Sequence, residues 1–308
     1  MNTWHILGAG AIGSLFALRL YEAGESPQLI RRGDVSPTLA LNFQRRHHQS
    51  QRGDHSDAHR EQFITLPQQT ASASDPISHL LVTTKAFDVD NAIASVAPRL
   101  TTNAAIVLLG NGMGYHERVR DAYPHCTLYA ATTTAGCFCK SPSERVIVSD
   151  GYTDVGRFDS QDEVPEWFKR WQHADWSCHW RGDMTHRLLI KLAVNCVINP
   201  PTALHDVPNG ALLSPPLLAE FEQAIAETAK RLDWAGFETV AQLLPQLAIE
   251  VATSTRHNTS SMRADKRAGK STEVDAILGY LLRELKGAEP APEAPLLTGW
   301  LSQLQPAD

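Results

Sequence analysis

Lys191, Asn195 and Asn199 recur at intervals of four in a segment whose other members, Leu192, Ala193, Val194, Cys196, Val197 and Ile198, are all apolar. That interval lines the three polar side chains along one stripe of a helix, and their neighbours set the helix for burial. A lysine in such a place is either paired or in chemical use. A covered stem with its head in water, beside two satisfied core amides, is the structural alternative. The chemistry that suits the ammonium is carbonyl reduction, in which hydride reaches carbon while a positioned acid polarises the oxygen and protonates it. Burial would lower the lysine pKa toward the working pH, and a nearby carboxylate would raise it. Glu273, at the start of a later helical segment, could hold the lysine or the product hydroxyl. A glutamate placed there only by the helix dipole is the alternative. Pro200 and Pro201 are expected to stop the lysine helix.

Hydride needs a carrier, and the opening residues offer a place for one. Gly8, Gly10 and Gly13 form a GxGxxG pattern after an apolar run at 4–7. The first glycine permits a tight turn, the second lets a pyrophosphate approach the backbone, and the third lets helix and strand pack closely. The helix start then presents free N–H groups to the phosphates. About 20 residues on, an NAD enzyme places an acidic residue for the ribose 2′-hydroxyl. Arg31 and Arg32 stand there instead, a fork suited to the 2′-phosphate of NADP, with Asp34 close by. Two solvated loop arginines are the plainer reading. Lys85 and Asn111 follow two further apolar runs, and ligands of open α/β sheets bind beyond such strand ends. The glycines in Gly110-Asn111-Gly112-Met113-Gly114 suggest close backbone approach to that ligand.

The elements that must position these residues fall into two textures. Expected strands at 4–7, 28–30, 80–84 and 105–109 alternate with helical stretches at 14–23 and 89–100, which implies a doubly wound, mostly parallel α/β sheet. Strand-rich pieces follow at 127–134 and 145–155, the second broken by a turn at Ser149-Asp150-Gly151. Beyond about Gly182 only helical segments are expected, at 184–198, 217–235, 240–255 and 273–286. The expected division is 1–182 and 183–308, an α/β domain and an all-helical domain. The tail from Gly287, rich in Pro and Ala, is expected to be extended or partly disordered.

A chain of 308 residues with 43% hydrophobic and 20% charged residues has the profile of a globular enzyme. A formal charge of -6 argues against nucleic acid as a partner. No apolar run is long enough to span a membrane. The five cysteines form no CxxC pair and no even framework, which suits a cytoplasmic protein. His47, His48, His55 and His59 lie in a segment, 44–61, that reads as a solvated loop rather than a metal site.

Taken in order, GAGAIG (8–13), TTKAFD (83–88), NGMG (111–114), ATTTAG (131–136), KLAVNCVINPPTAL (191–204), PNG (208–210), NTSSM (258–262) and STEVD (271–275) resemble the ketopantoate reductase family, from residue 4 to about 285. The resemblance implies a Rossmann domain followed by a helical domain, and NADPH-dependent reduction of 2-dehydropantoate to pantoate. It makes Lys191 the general acid and Glu273 its acidic partner at the substrate hydroxyl. Asn195, Asn199, Asn209, Asn258 and Ser261 become substrate positions, with Ser261 a carboxylate contact. The loop Gly8, Ala9, Gly10, Ala11, Ile12 and Gly13 becomes the cofactor cradle. Arg32, or Arg31 beside it, becomes the 2′-phosphate residue, and Lys85 and Asn111 lie near nicotinamide and substrate. The implied partner is a small 2-keto acid, and the implied assembly a monomer or homodimer. Against the pattern, Gly110 replaces a usual Gln or His, Ala294 an Asn or other polar residue, and Cys137 and Cys139 lie where a His is common. These departures keep open another branched 2-keto acid as substrate. A non-catalytic NADP-binding sensor is the remaining alternative.

Overall fold

The computed structural model describes residues 2–33, 35–45, 61–158, 163–172 and 176–305. The histidines of the 44–61 segment lie outside the described residues, whereas its two edges belong to strands.

The chain divides into two compact units, Met1–Gly110 with His116–Met184, and Asn111–Tyr115 with Thr185–Asp308. In the first, β1 (Thr3–Leu7), α1 (Ala11–Glu22) and β2 (Ser26–Arg31) make a βαβ unit whose strands run parallel, His5 opposite Gln28. A hairpin of β3 (Thr38–Arg45) and β4 (Glu61–Thr70) follows, and β4 runs parallel to β2. Next come β5 (Ile77–Val82), α2 (Val89–Val96), β6 (Leu100–Leu109), α3 (Tyr115–Ala122) and β7 (Thr127–Thr133). The strands β8 (Gly136–Cys139), β9 (Glu144–Ser149), β10 (Tyr152–Arg157), helix α4 (Glu166–Gln172) and β11 (Ser177–Trp180) complete the unit. The sheet order is β11-β10-β7-β6-β5-β1-β2-β4-β3-β9-β8.

From β7 to β4 every neighbouring pair is parallel. The central strands are accordingly continuous apolar runs such as Leu80-Leu81-Val82 and Ile106-Val107-Leu108, all buried, as strands covered on both faces require. Beside them Trp4 contacts Trp171 and Trp167 at ring-centroid distances of 4.9 and 5.1 Å, and Phe168 contacts Trp180 at 5.2 Å. The hairpin β3–β4 and the strands β8 and β11 were not among the expected elements. In β3 and β4 every second residue faces outward and polar residues and Pro67 interrupt the run, so neither shows a continuous apolar signal.

The second unit carries α5 (Met184–Leu204), a 3-10 turn Asn209–Leu213, α6 (Leu218–Trp234), α7 (Glu238–Ser254), α8 (Ser261–Arg267), a π-helical segment Asp275–Glu284 and α9 (Pro295–Leu304). No strand occurs among its described residues. Two expectations are corrected here. First, α5 runs through Pro200 and Pro201 to Leu204. A proline inside a helix costs about 3 kcal/mol, yet Cys196, Val197, Ile198 and Ala203 around the pair are buried and hold the turn in place. Thr202 Oγ1 also donates to the carbonyls of Ile198 (2.8 Å) and Asn199 (3.0 Å). Second, the tail is not extended throughout. Leu297, Trp300, Leu301 and Leu304 line one buried face of α9 at helical spacing. The Glu227 carboxylate on α6 accepts from the N–H groups of Leu296 and Leu297, capping the helix start.

Candidate active site

In the first unit the glycine loop leaves β1 and turns into α1, and its three glycines do different work. Gly8 has φ +96°, and a Cβ there would lie 2.8 Å from the Thr83 and Thr84 backbone. A Cβ on Gly13 would collide with the Gly8 carbonyl and come within 2.5 Å of Thr83 Oγ1. Thr83 Oγ1 donates to the carbonyls of Leu7 (3.0 Å) and Gly8 (2.7 Å), stapling the loop to the end of β5. Around Gly10, by contrast, a Cβ would meet nothing within 4 Å. The cradle has open space at its middle glycine and tight packing at its outer two, the arrangement a diphosphate against a helix start requires. Ala9, Ala11 and Ile12 are half-buried and complete the turn.

The two arginines are handled differently. Arg31 ends β2 and donates to Gln68 Oε1 at 3.3 Å. The Gln68 amide nitrogen is itself committed to Ser36 Oγ and the Thr38 carbonyl, at 3.0 and 3.1 Å, which aims its oxygen at Arg31. Arg32 instead pairs with Asp88 at 3.2 Å. Lys85 is half-buried and opens the 3-10 turn Ala86–Asp88 beyond β5, which ends at Val82 rather than at Thr84. Sequence reasoning passed over Thr83 and Asp88, although both stand in the TTKAFD stretch, and Gln68, which sits on an unread strand.

In the second unit Lys191, Asn195 and Asn199 lie on α5 at the expected spacing, with Leu192, Ala193, Cys196, Val197 and Ile198 buried around them. Burial pulls the Lys191 ammonium down to about 8, and the Glu273 carboxylate opposes that fall. Glu273 is buried, and its Oε2 accepts from Asn111 Nδ2 at 3.1 Å. Asn111 therefore belongs with the lysine helix and not with the strand that precedes it in sequence. The reason is visible in its neighbours. Met113 N donates to the Ala276 carbonyl at 2.9 Å, and Gly112, at φ +79°, lies where a Cβ would be 2.6 Å from that of Ala276. A Cβ on Gly114 would lie 3.2 Å from the Tyr280 ring. At Gly112 and Gly114 the close approach is made to the protein's own π-helical segment.

Asn195 and Asn199 make no side-chain hydrogen bond among the described residues, and Asn195 is only half-buried. Asn209 Nδ2 donates to Thr255 Oγ1 at 2.9 Å and its backbone N–H to the Asn258 carbonyl at 3.2 Å, so these two expected positions are joined. Asn258 is exposed, as is Ser261 in the first turn of α8. The buried serine of that motif is Ser260, which caps α8 by accepting from Arg263 N and meets Thr202 Oγ1 at 2.7 Å. Among the described residues no group of His, Cys, Asp and Glu could hold a metal ion.

A glycine-loop α/β unit followed by a helical unit bearing a half-buried lysine with a lowered pKa and a buried glutamate defines a dinucleotide-dependent oxidoreductase. The chain belongs to the ketopantoate reductase family: residues 4–160 match the family described as ketopantoate reductase PanE/ApbA, and 183–305 match its C-terminal part. A 2-dehydropantoate 2-reductase of Vibrio cholerae is 30% identical over 283 residues, 91% of this chain and 89% of the relative. A solved probable 2-dehydropantoate 2-reductase from Bacillus subtilis superposes with a TM-score of 0.76 at 25% identity, covering 98% of each chain. The fold is shared more widely. A D-mandelate dehydrogenase solved with NADH and anilino(oxo)acetate gives a TM-score of 0.80 at 17% identity, over 98% of this chain and 97% of that one.

Proposed function

We propose that the protein reduces 2-dehydropantoate to pantoate with NADPH, toward pantothenate and coenzyme A. The observation that carries the reading is Lys191, a half-buried lysine whose desolvated ammonium is drawn down to about 8 against the opposing charge of Glu273, a glutamate that Asn111 holds. The residues present fit a dinucleotide, since Gly10 leaves open the space a Cβ would fill and α1 begins there without a side-chain cap. Gly8 to Gly13 would hold the diphosphate, Arg31 and Arg32 the 2′-phosphate, and Lys85 and Asn111 the nicotinamide end. When bound, the dihydronicotinamide supplies the hydride. Lys191 polarises the keto oxygen and gives it a proton as negative charge develops. At neutral pH a group at about 8 is mostly protonated yet gives up its proton far more readily than an ordinary lysine. Glu273, its carboxylate fixed by Asn111, orients the ammonium and the nascent hydroxyl. Asn195 and Asn199 offer amides to the keto acid, Asn258 and Ser261 serve its carboxylate, and Asn209 supports the Asn258 turn. On this reading the α/β part, 1–182, binds cofactor and the helical part, 183–308, binds substrate. The enzyme works in the cytoplasm as a monomer or homodimer.

The test is NADPH oxidation with 2-dehydropantoate, beside a panel of 2-keto acids and with NADH in parallel. Wild type should turn over 2-dehydropantoate best, and Lys191→Ala should lose about 10²- to 10⁴-fold in kcat/KM, the usual worth of a general acid. No turnover by wild type, or full turnover by the variant, overturns the reading. A bulkier 2-keto acid is the second reading. It is supported by Gly110, which places no side chain beside Asn111 where relatives of the resembled pattern carry one.

A further inference from the structure

Asp88 stands outside every role assigned so far, yet it is the residue that Arg32 touches. Arg32 directly follows β2, and Asp88 closes the 3-10 turn that follows β5. In the sheet β1 lies between those two strands. Strands spaced about 4.8 Å apart put β2 and β5 about 10 Å from each other, so the ion pair bridges the carboxyl end of β1, from which the glycine loop departs. Arg31, its neighbour, is held by the neutral Gln68 amide, which sets its direction without cancelling its charge. Arg32, whose side chain is largely exposed, is paired with a carboxylate that offsets part of its charge.

We propose that Asp88 tunes the cofactor preference as a displaceable counter-anion for Arg32. The inference rests on the reading of Arg31 and Arg32 as the 2′-phosphate arm. A 2′-phosphate carries about -1.5 to -2 charges near neutral pH and can replace a single carboxylate on the guanidinium. A 2′-hydroxyl carries none and leaves the Arg32–Asp88 pair in place. Binding of the phosphorylated cofactor therefore breaks an ion pair and leaves Asp88 beside a phosphate, whereas binding of NAD does neither. Asp88 holds the affinity for NADP below what the arginines alone would give, and narrows the gap between the two cofactors.

Asp88→Asn removes the charge while keeping the shape and the preference for the start of α2, where residue 88 stands. Equilibrium titration of NADP⁺ and of NAD⁺, by calorimetry, should be run on wild type, Asp88→Asn, Arg32→Ala and the double variant. Asp88→Asn should tighten NADP⁺ about fivefold, the scale of one exposed ion pair, and leave NAD⁺ within about twofold. In the Arg32→Ala background the gain for NADP⁺ should shrink to about twofold or less, since only the direct repulsion between Asp88 and the phosphate remains. Unchanged or weaker NADP⁺ binding by Asp88→Asn overturns the proposal, as does a parallel shift for both cofactors or a gain of undiminished size in the Arg32→Ala background. Wild type binding NAD⁺ as tightly as NADP⁺ is a separate outcome. It sinks the phosphate reading of the arginines, and this proposal with it.

Discussion

Two glycine-rich segments leave strands of the same sheet, one after β1 and one after β6, and they use their glycines in opposite ways. At Gly10 the space beside the backbone is empty, with nothing within 4 Å of a Cβ. At Gly112 the corresponding space is filled by Ala276 of the π-helical segment. One loop keeps room for something that is not protein, and the other spends its room on protein. A glycine in a motif thus records a close approach, and only its neighbours say whether a ligand or a helix makes it. The β6 loop delivers Asn111 to Glu273, while the β1 loop stays clear, which on the proposed function leaves room for a diphosphate.

The contrast breaks most sharply within the first loop. Gly13→Ala drives a methyl group into the Gly8 carbonyl and Thr83 Oγ1, an overpacked contact of the kind that costs 1–3 kcal/mol and sometimes more. Its unfolding free energy, from urea titration, should fall by about that amount, and dinucleotide binding should fall at least about 100-fold. Gly10→Ala should leave the unfolding free energy unchanged within about 0.5 kcal/mol, as open positions do, and weaken only the dinucleotide. Equal destabilisation by the two substitutions would show that the space at Gly10 is not real.

In the second loop Gly112→Ala combines a positive φ with the Ala276 contact. It should shift Asn111 away from Glu273 and lower kcat about 10- to 100-fold, in line with the sensitivity of positioned groups to displacements near 1 Å. Dinucleotide affinity, measured by titration, should fall less than kcat does, since the substitution disturbs only the Asn111 contact and leaves the Gly8–Gly13 loop untouched. A loss confined to cofactor binding would return Gly112 to the ligand side of the comparison.

How far the sequence disclosed these arrangements depends on the range of the interaction. The Lys191–Asn195–Asn199 stripe and the Gly8–Gly13 turn are set by spacing within a dozen residues, and both stand where the sequence places them. The bond from Asn111 to Glu273 joins positions 162 apart, and nothing local to Asn111 marks its membership of the helical unit. The tail misleads for the same reason. Its Pro and Ala content reads as loose chain, but Glu227, about 70 positions upstream, supplies the cap that starts α9. Strand β4 hides because its outward positions carry Phe63, Thr65 and Pro67 while Gln68 takes an inward one, so the residue that aims Arg31 was out of sight.

The smallest effect ties the two loops to the lysine. On the proposed function Lys191 acts while protonated in the reducing direction, so kcat/KM should fall about tenfold per pH unit above about 8. Glu273 raises the lysine pKa against the effect of burial. Removing its charge in Glu273→Gln therefore leaves burial unopposed, and the falling limb should move to lower pH by up to about one unit, whatever happens to the absolute rate. Gly10→Ala touches neither group and should leave the limb where it is. Measured across pH 6 to 10, a limb that stays fixed or moves upward in Glu273→Gln would mean that the carboxylate held by Asn111 does not reach the ammonium. The β6 loop would then have lost its chemical purpose, and the filled space at Gly112 would be a matter of folding alone.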